Sequence, residues 1–307
     1  MKLGFRLLRA IISLWLIVTL VFIALRATGD PITAIFDPDN TTKAALDAYR
    51  RQWGYTGTIF EQYLAYLNNI VHGNFGFSSM ANRDAFSVVA ERLPATLQLV
   101  GLSAVLMMLI GIPVGSFAAL NAGGRIDRFV MTFSTVGFAL PNFVLGLVLI
   151  LLLSVNLHLL PSNGIGTPAH LVMPVLTIGL SQAAIFTRFV RSAVLDASKL
   201  QCVTSATARG ISEWEVFWRH IVPNALLPLV TITPLLVGAM VAASAVVESV
   251  FGWPGIGRLI VESVAQRDLA VLQMIVMMIA LVMITTNLVV DLTYSRLDPR
   301  TALAAAH

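Results

Sequence analysis

The chain has 307 residues, 57% of them hydrophobic and only 12% charged, with a formal net charge of +4. Soluble domains carry about a quarter charged residues, so a soluble globular protein is excluded and an integral membrane protein is expected. The positive residues punctuate long apolar runs, which argues against a nucleic-acid surface, and the single Cys202 excludes an intrachain disulfide framework or a cysteine-rich metal site.

The first apolar run covers 10–25, framed by Arg9 and Arg26. It resembles a signal peptide, but "LRATGDP" lacks a small-x-small cleavage pattern, and an uncleaved first helix is expected. An outer loop follows over 28–92. Within it "KAALDAYRRQWG" places Leu46, Tyr49 and Trp53 on one helical face, and "TIFEQYLAYLNNIVHG" does the same with Phe60, Tyr63, Leu64, Leu67 and Val71. Such aromatic-rich helices suit the outer membrane face, another subunit, or packing onto the chain's own helix ends. The second apolar run is 93–124. The stretch 129–187 has no Asp, Glu, Lys or Arg and is too long for one crossing. It divides at "NLHLLPSNGIGTPAH" (156–170), a Pro- and Gly-rich loop. Runs 221–247 and 269–290 complete the set. Each supplies roughly 20 residues, enough to span, and six transmembrane helices are predicted.

Lys and Arg set the orientation. With the N-terminus inside, the inner segments hold Lys2, Arg6 and Arg9, then Arg125 and Arg128, then Arg188 through Arg219, then Arg296 and Arg300. The outer loop at 248–268 holds only Arg258 and Arg267. Both termini are therefore expected inside.

Three mechanisms compete for such a chain. An ion-coupled transporter needs ionisable groups near the bilayer midplane. None is predicted there, since Glu248 and Asp291 fall at helix ends, where interfacial solvation accounts for them. An intramembrane serine protease has serines in "GLSA" and "GLSQ" but no base, because all five histidines lie in loops or near ends. Small residues in membrane helices serve close packing. A permease driven by a separate motor remains. No lysine completes a phosphate-binding loop, so ATP must act through a contact surface.

"SATARGISEWEVFWRHIVPNALLPLV" (205–230) is the inner segment large enough for that contact. A helix from about Lys199 to Arg209 is predicted to end at Gly210, followed by Ile211. Ser212 and Glu215 form a capping box around Glu213. Trp214, Phe217, Trp218 and Ile221 fall at i, i+3, i+4 and i+7, a stripe expected to insert into the protein's own base. Pro223 is expected to halt the helix and begin the next span. Such a helix is a lever between the fourth and fifth spans.

These residues resemble the cytoplasmic loop of the bacterial dipeptide, oligopeptide and nickel branch of ABC-importer permeases. "GNFGFSSMANRDAFSVVAERLPATLQL" (73–99), "LPSNG", "LVMPVLTIGL", "VVESVFGWPGIGRL" (246–259) and "DLTYSRLDPR" (291–300) resemble further parts of it in order. Where that family has an acidic-aromatic pair and two basic residues before the glycine, this chain has Gln201, Cys202, Thr204 and Thr207, keeping Ala206, Arg209 and Gly210.

The resemblance implies an all-α, six-helix type I importer permease in the bacterial inner membrane, with both termini cytoplasmic. Its parts would be a first helix in 1–27, a periplasmic loop at 28–92 and a core at 93–292. That core includes a coupling loop (191–222) and a periplasmic loop (248–268), and a tail at 293–307 follows. It implies a second homologous permease subunit, one or two ATPases that bind ATP and Mg, and an external substrate-binding protein. The permease itself would catalyse nothing and hold no cofactor. Coupling falls to Ala206, Arg209, Gly210, Ile211, Ser212, Glu213 and Glu215, anchored by Trp214, Phe217, Trp218, Ile221 and Pro223. Glu248, Phe251, Trp253, Pro254 and Gly255, in a plug-like outer loop, are the candidates facing the pathway. Short peptides or nickel and other metal chelates are the implied substrates, the short 156–170 loop being closer to the nickel members. His158 and His170 lack a third ligand, so no metal site is expected. Met274, Met277, Met278 and Met283 are read as adaptable packing.

Overall fold

The computed structural model describes residues 3–27, 57–78 and 80–297, with side chains placed through Thr286 for the last helix. Expectations on residues 28–56, including the "KAALDAYRRQWG" helix, and on the chain beyond 297 lie outside it. The described residues form two compact units. One holds the chain up to Pro94 with Arg258–Thr285, the other Ala95–Gly257 and the chain from Thr286 onward.

In the first unit, α1 (Leu3–Ala27) meets α2 (Ile59–Val71). Thr58 and Glu61 close a complete capping box on α2. Tyr63 and Tyr66 lie against Phe22, and the Tyr63 hydroxyl meets Thr19 Oγ1 at 2.7 Å. The inward face of α2 is thus Tyr63, Tyr66, Leu67 and Ile70, while Phe60, Leu64 and Val71 of the predicted stripe stay exposed. A two-residue hairpin, β1 (Phe77–Ser78) and β2 (Arg83–Asp84), pairs in antiparallel register. Buried Asp268 accepts from Ser78 Oγ at 2.6 Å and from Met80 N, while its other oxygen takes Val271 N at the start of the last helix.

Helix α3 (Ala85–Leu120) starts ahead of the apolar run, so the predicted boundary at 93 falls inside it. Next come α4 (Arg125–Ala139), α5 (Asn142–Leu149) running into a π-helical stretch (Ile150–Asn156), and α6 (Ala169–Ser198). The break between α4 and α5 bends the path by 98°. Its cause is local: Leu140, preceding Pro141, is forced out of the helical region to φ −78°, ψ 121°. The loop before α6 falls where the Pro-Gly cluster places it.

Beyond it lie α7 (Gln201–Ala208), α8 (Glu213–Val216) with a π turn (Phe217–Ile221), and α9 (Val222–Val250). Last come α10 (Ile256–Ala265) and α11 (Leu269–Leu297), which passes the expected end of the core at 292. Met274, Met277 and Met278 are buried and Met283 is exposed.

The core of the second unit lies where α6 meets α9, α4 and α3, around Leu99, Met107, Met173, Phe186, Leu236 and Met240. Glycines bring α3 and α6 close. A Cβ on Gly115 would stand 2.6 Å from the Thr187 carbonyl, and one on Gly179 would strike Leu106. Ser103 and Ser181, the serines of "GLSA" and "GLSQ", are buried in this packing. Among the described residues, four helices, Ala85–Leu120, Ala169–Ser198, Glu213–Val250 and Leu269–Thr286, are long and apolar enough to cross a membrane, or five spans if the bent pair counts as one. Ile11–Ala24 is a shorter apolar helix.

Candidate functional site: the two ends of one long helix

The segment 201–221 is built from the turn outward. α6 stops because Leu200 is extended, so the helix predicted from Lys199 begins instead at Gln201. α7 buries Val203 and Ala206 and leaves Gln201, Cys202, Thr204 and Thr207 exposed. Its end is a Schellman turn: Gly210 N donates to Thr207 O at 2.9 Å and Ile211 N to Ala206 O at 3.3 Å. Gly210 adopts φ +79°, and nothing lies within 4 Å of where its Cβ would be. Glycine is thus needed here for conformation, in a turn with open space around it. Ala206, grouped by sequence with the coupling residues, is fully buried and forms the floor of the turn.

Ser212 caps α8, its Oγ accepting from Glu215 N at 3.3 Å. The Glu215 carboxylate, expected to reach back to complete the box, takes Arg219 Nη1 instead at 2.6 Å. Pro223 does not halt the helix. Glu213–Val250 is one continuous apolar helix, with Pro223 in the first turn of α9 and the π turn just before it. A proline ring clashes with the carbonyl four residues back, and a π turn accommodates the displaced group.

The π turn also overturns the predicted stripe, because a wider turn breaks the 3.6-residue period. Val216 and Ile221 are buried and Phe217 half-buried, but Trp214 (72% exposed) and Trp218 (52%) face outward, edge to face at 5.6 Å. The two tryptophans join Arg209, Gly210, Ser212, Glu213 and Arg219 on an outward surface.

The other end of this helix is closed. Glu248, expected to be solvated at a helix end, is fully buried. It accepts from Thr96 Oγ1 at 2.7 Å, and the same hydroxyl oxygen accepts from Ile256 N at 2.8 Å. Gly255 and Gly257 make room for it, since a Cβ on either would meet the Glu248 carboxylate. Trp253, expected to face the pathway, is 7% exposed, and its Nε1–H donates to Ala95 O at 3.0 Å. Phe251 is buried and its carbonyl accepts from Gly164 N at 2.9 Å. Pro254 is half-buried. "FGWPGIG" is therefore a clasp onto the start of the 95–120 stretch of α3. Thr96 was not among the candidates, and nothing local marks it, since its partners lie more than 150 residues away.

A second missed feature is an ion pair. Asp127, in the first turn of α4, holds Arg191 of α6 through two bonds, at 2.5 Å to Nε and 2.7 Å to Nη2, and also accepts from Gly123 N. Its signal in the sequence is that it is the lone acidic residue between Glu91 and Asp196. Among the described residues, no three His, Cys, Asp or Glu side chains gather to hold a metal ion. His170 Nδ1 lies 2.9 Å from Thr167 Oγ1.

Comparison with known proteins agrees with this architecture. Residues 111–303 match the family "Binding-protein-dependent transport system inner membrane component". The chain is 35% identical to the oligopeptide transport system permease protein AppB of Bacillus subtilis (strain 168), covering 92% of this chain and 93% of that one. It is 36% identical to the glutathione transport system permease protein GsiC of Escherichia coli (strain K12), over 96% of each. In fold it is similar to a chain of the inward-facing MetNI methionine ABC transporter, with a TM-score of 0.61 at 17% identity over 69% of this chain and 96% of that one. It is also similar to a chain of an amino acid ABC transporter, with a TM-score of 0.56 at 19% identity over 68% and 94%. The chain thus belongs to the binding-protein-dependent inner-membrane transport components, as a multi-pass permease subunit of the dipeptide, oligopeptide and nickel ABC importer family.

Proposed function

We propose that this chain forms half of the translocation pathway of an ATP-driven importer for short peptides, and that the 196–222 segment receives the motor's stroke. The observation that carries the reading is the continuity of Glu213–Val250. One helix of 38 residues, about 57 Å at 1.5 Å per residue, joins an open, aromatic surface at one end to the Glu248 clasp at the other. A push on Trp214, Trp218 and the Gly210 turn is therefore delivered to α9 without an intervening loop. Pro228 and Pro234 each remove a backbone hydrogen bond, so the half nearer the coupling segment can flex while the half nearer the clasp stays stiff.

Six spans with both termini inside fit this arrangement when Ile11–Ala24 and the bent pair are each counted as one crossing. The Gly210 surface then faces the cytoplasm and the clasp the periplasm. The partners are a second, homologous permease subunit, one or two ATPases that bind ATP and Mg, and a periplasmic substrate-binding protein. The chain itself is a gate in the pathway and catalyses no reaction. Relatives named for oligopeptide and glutathione transport favour peptides over the nickel and metal-chelate members as substrate class. Glu248, Phe251, Trp253, Pro254 and Gly255 act as the outer gate, by holding the loop shut rather than by lining an open path.

The test is Gly210→Pro in the assembled importer. Proline cannot adopt φ +79° and lacks the N–H that bonds Thr207 O. Membrane insertion should persist while substrate-stimulated ATP hydrolysis and uptake fall to background. Normal uptake by this variant would refute the coupling role.

A further inference from the structure

Arg188 stands out once Arg191 is committed to Asp127. It lies on an exposed face of α6 and has no hydrogen bond or ion pair among the described residues. Beside it, between α4 and α6, is an open groove of about 520 Å³, lined by Arg188, Arg191 and Ser192 and walled by Met131, Phe138 and Phe189. Phe138 is 58% exposed and Phe189 41%. The groove therefore joins a cationic, hydrogen-bonding floor to apolar walls that open away from the chain.

Its level follows from the sequence. Residues 171–187 carry no charge and extend about 26 Å as helix, close to the roughly 30 Å hydrocarbon thickness, so Arg188 stands at a membrane–water boundary. The Asp127–Arg191 bonds bring the start of α4, with Arg125 and Arg128, to the same end of α6. Four arginines against one aspartate make this level strongly positive. A free guanidinium there calls for an oxyanion, and its planar fork matches phosphate. Walls of Phe and Met suit an acyl chain.

We propose that the α4–α6 groove binds an anionic phospholipid, its headgroup phosphate held by Arg188 and Ser192, and its chain lying along Met131, Phe138 and Phe189. Charge complementarity selects this occupant, because basic pockets between membrane helices recognise anionic headgroups. The site is distinct from the coupling surface and the clasp, and does not depend on which solute is imported.

The experiment is native mass spectrometry of the detergent-purified importer, titrated with phosphatidylglycerol, phosphatidylcholine, inorganic phosphate or a short peptide. Phosphatidylglycerol should be retained in preference to phosphatidylcholine, and neither phosphate nor peptide should displace it. Arg188→Gln, at an exposed position, should weaken that binding about fivefold, the effect of one interfacial charge. If Arg188→Gln does not assemble, Arg188→Lys decides: it should keep the preference at reduced occupancy. Equal phosphatidylcholine binding, wild-type phosphatidylglycerol occupancy in the variant tested, or displacement by phosphate or peptide would each overturn the lipid site.

Discussion

Both ends of Glu213–Val250 turn on a glycine in the left-handed region, Gly210 at φ +79° and Gly252 at φ +62°, but the space around the two turns differs. Gly210 is required for its backbone angle and sits in open space, so the turn presents its surface to whatever approaches. Gly255 and Gly257 are required for room, because the buried Glu248 carboxylate occupies the volume a side chain on Gly255 would need and the Ala245 backbone the volume one on Gly257 would need. A turn shaped by conformation stays available to a partner. A turn shaped by packing is already occupied by its own chain and moves only if the clasp opens.

The largest expected effect is at the packed end. Gly255→Ala should destabilise the protein by about 1–3 kcal/mol, the cost of overpacking, because Thr96 pins Glu248 in place. Thermal unfolding of Gly255→Ala, Glu248→Ala and the double variant would show the double variant less destabilised than the sum of the singles. Strict additivity would break the clasp description. Thr96→Val removes both the donor to Glu248 and the acceptor for Ile256 N, and should cost about 1–3 kcal/mol on the same assay.

At the open end the effects are smaller and differ in kind. Gly210→Ala should lose about 1 kcal/mol through its left-handed angle alone, and Gly210→Asn should recover part of it. Equal losses for Ala and Asn would mean that space, not conformation, governs the turn. Trp214→Ala, at a 72% exposed site, should leave stability within about 0.5 kcal/mol while impairing ATP-driven uptake. A large drop in melting temperature would return Trp214 to the buried stripe that the sequence suggests.

The smallest effect lies on α2. Backbone and side-chain hydrogen bonds from Thr58 hold the Glu61 carboxyl below its ordinary value of 4.5. A lowered folded-state value means the contribution is present above the ordinary value and is lost as pH falls through the lowered one. Hydrogen-exchange protection of α2, corrected for intrinsic rates, should weaken over that window in the native chain and less so in Thr58→Ala.

What was legible in the sequence was local. The Gly210 stop, the Ser212 cap, the Thr58 helix start and the 156–170 loop each depend on residues a few positions apart. The long apolar helices were legible because hydrophobic run length decides them. Failures came where a neighbour or a distant partner intervened. Pro223 displaced the helix into a π turn and rotated Trp214 and Trp218 outward, so a 3.6-residue count across it misassigned the face. Pro141 bent the third apolar stretch, which no charge interrupts. Glu248 looked like an interfacial acid because its partner Thr96 lies far away along the chain, and Asp127 with Arg191 was hidden in the same way.

Cys202, the chain's single cysteine, is exposed on α7 and offers the most direct test of the central claim without altering the coupling turn. A thiol-reactive photocrosslinker placed on Cys202 in the assembled importer, with Cys202→Ser as control, should on illumination capture an ATPase subunit, with a yield that changes on ATP binding. Capture of the external substrate-binding protein, or of lipid alone, would contradict the account.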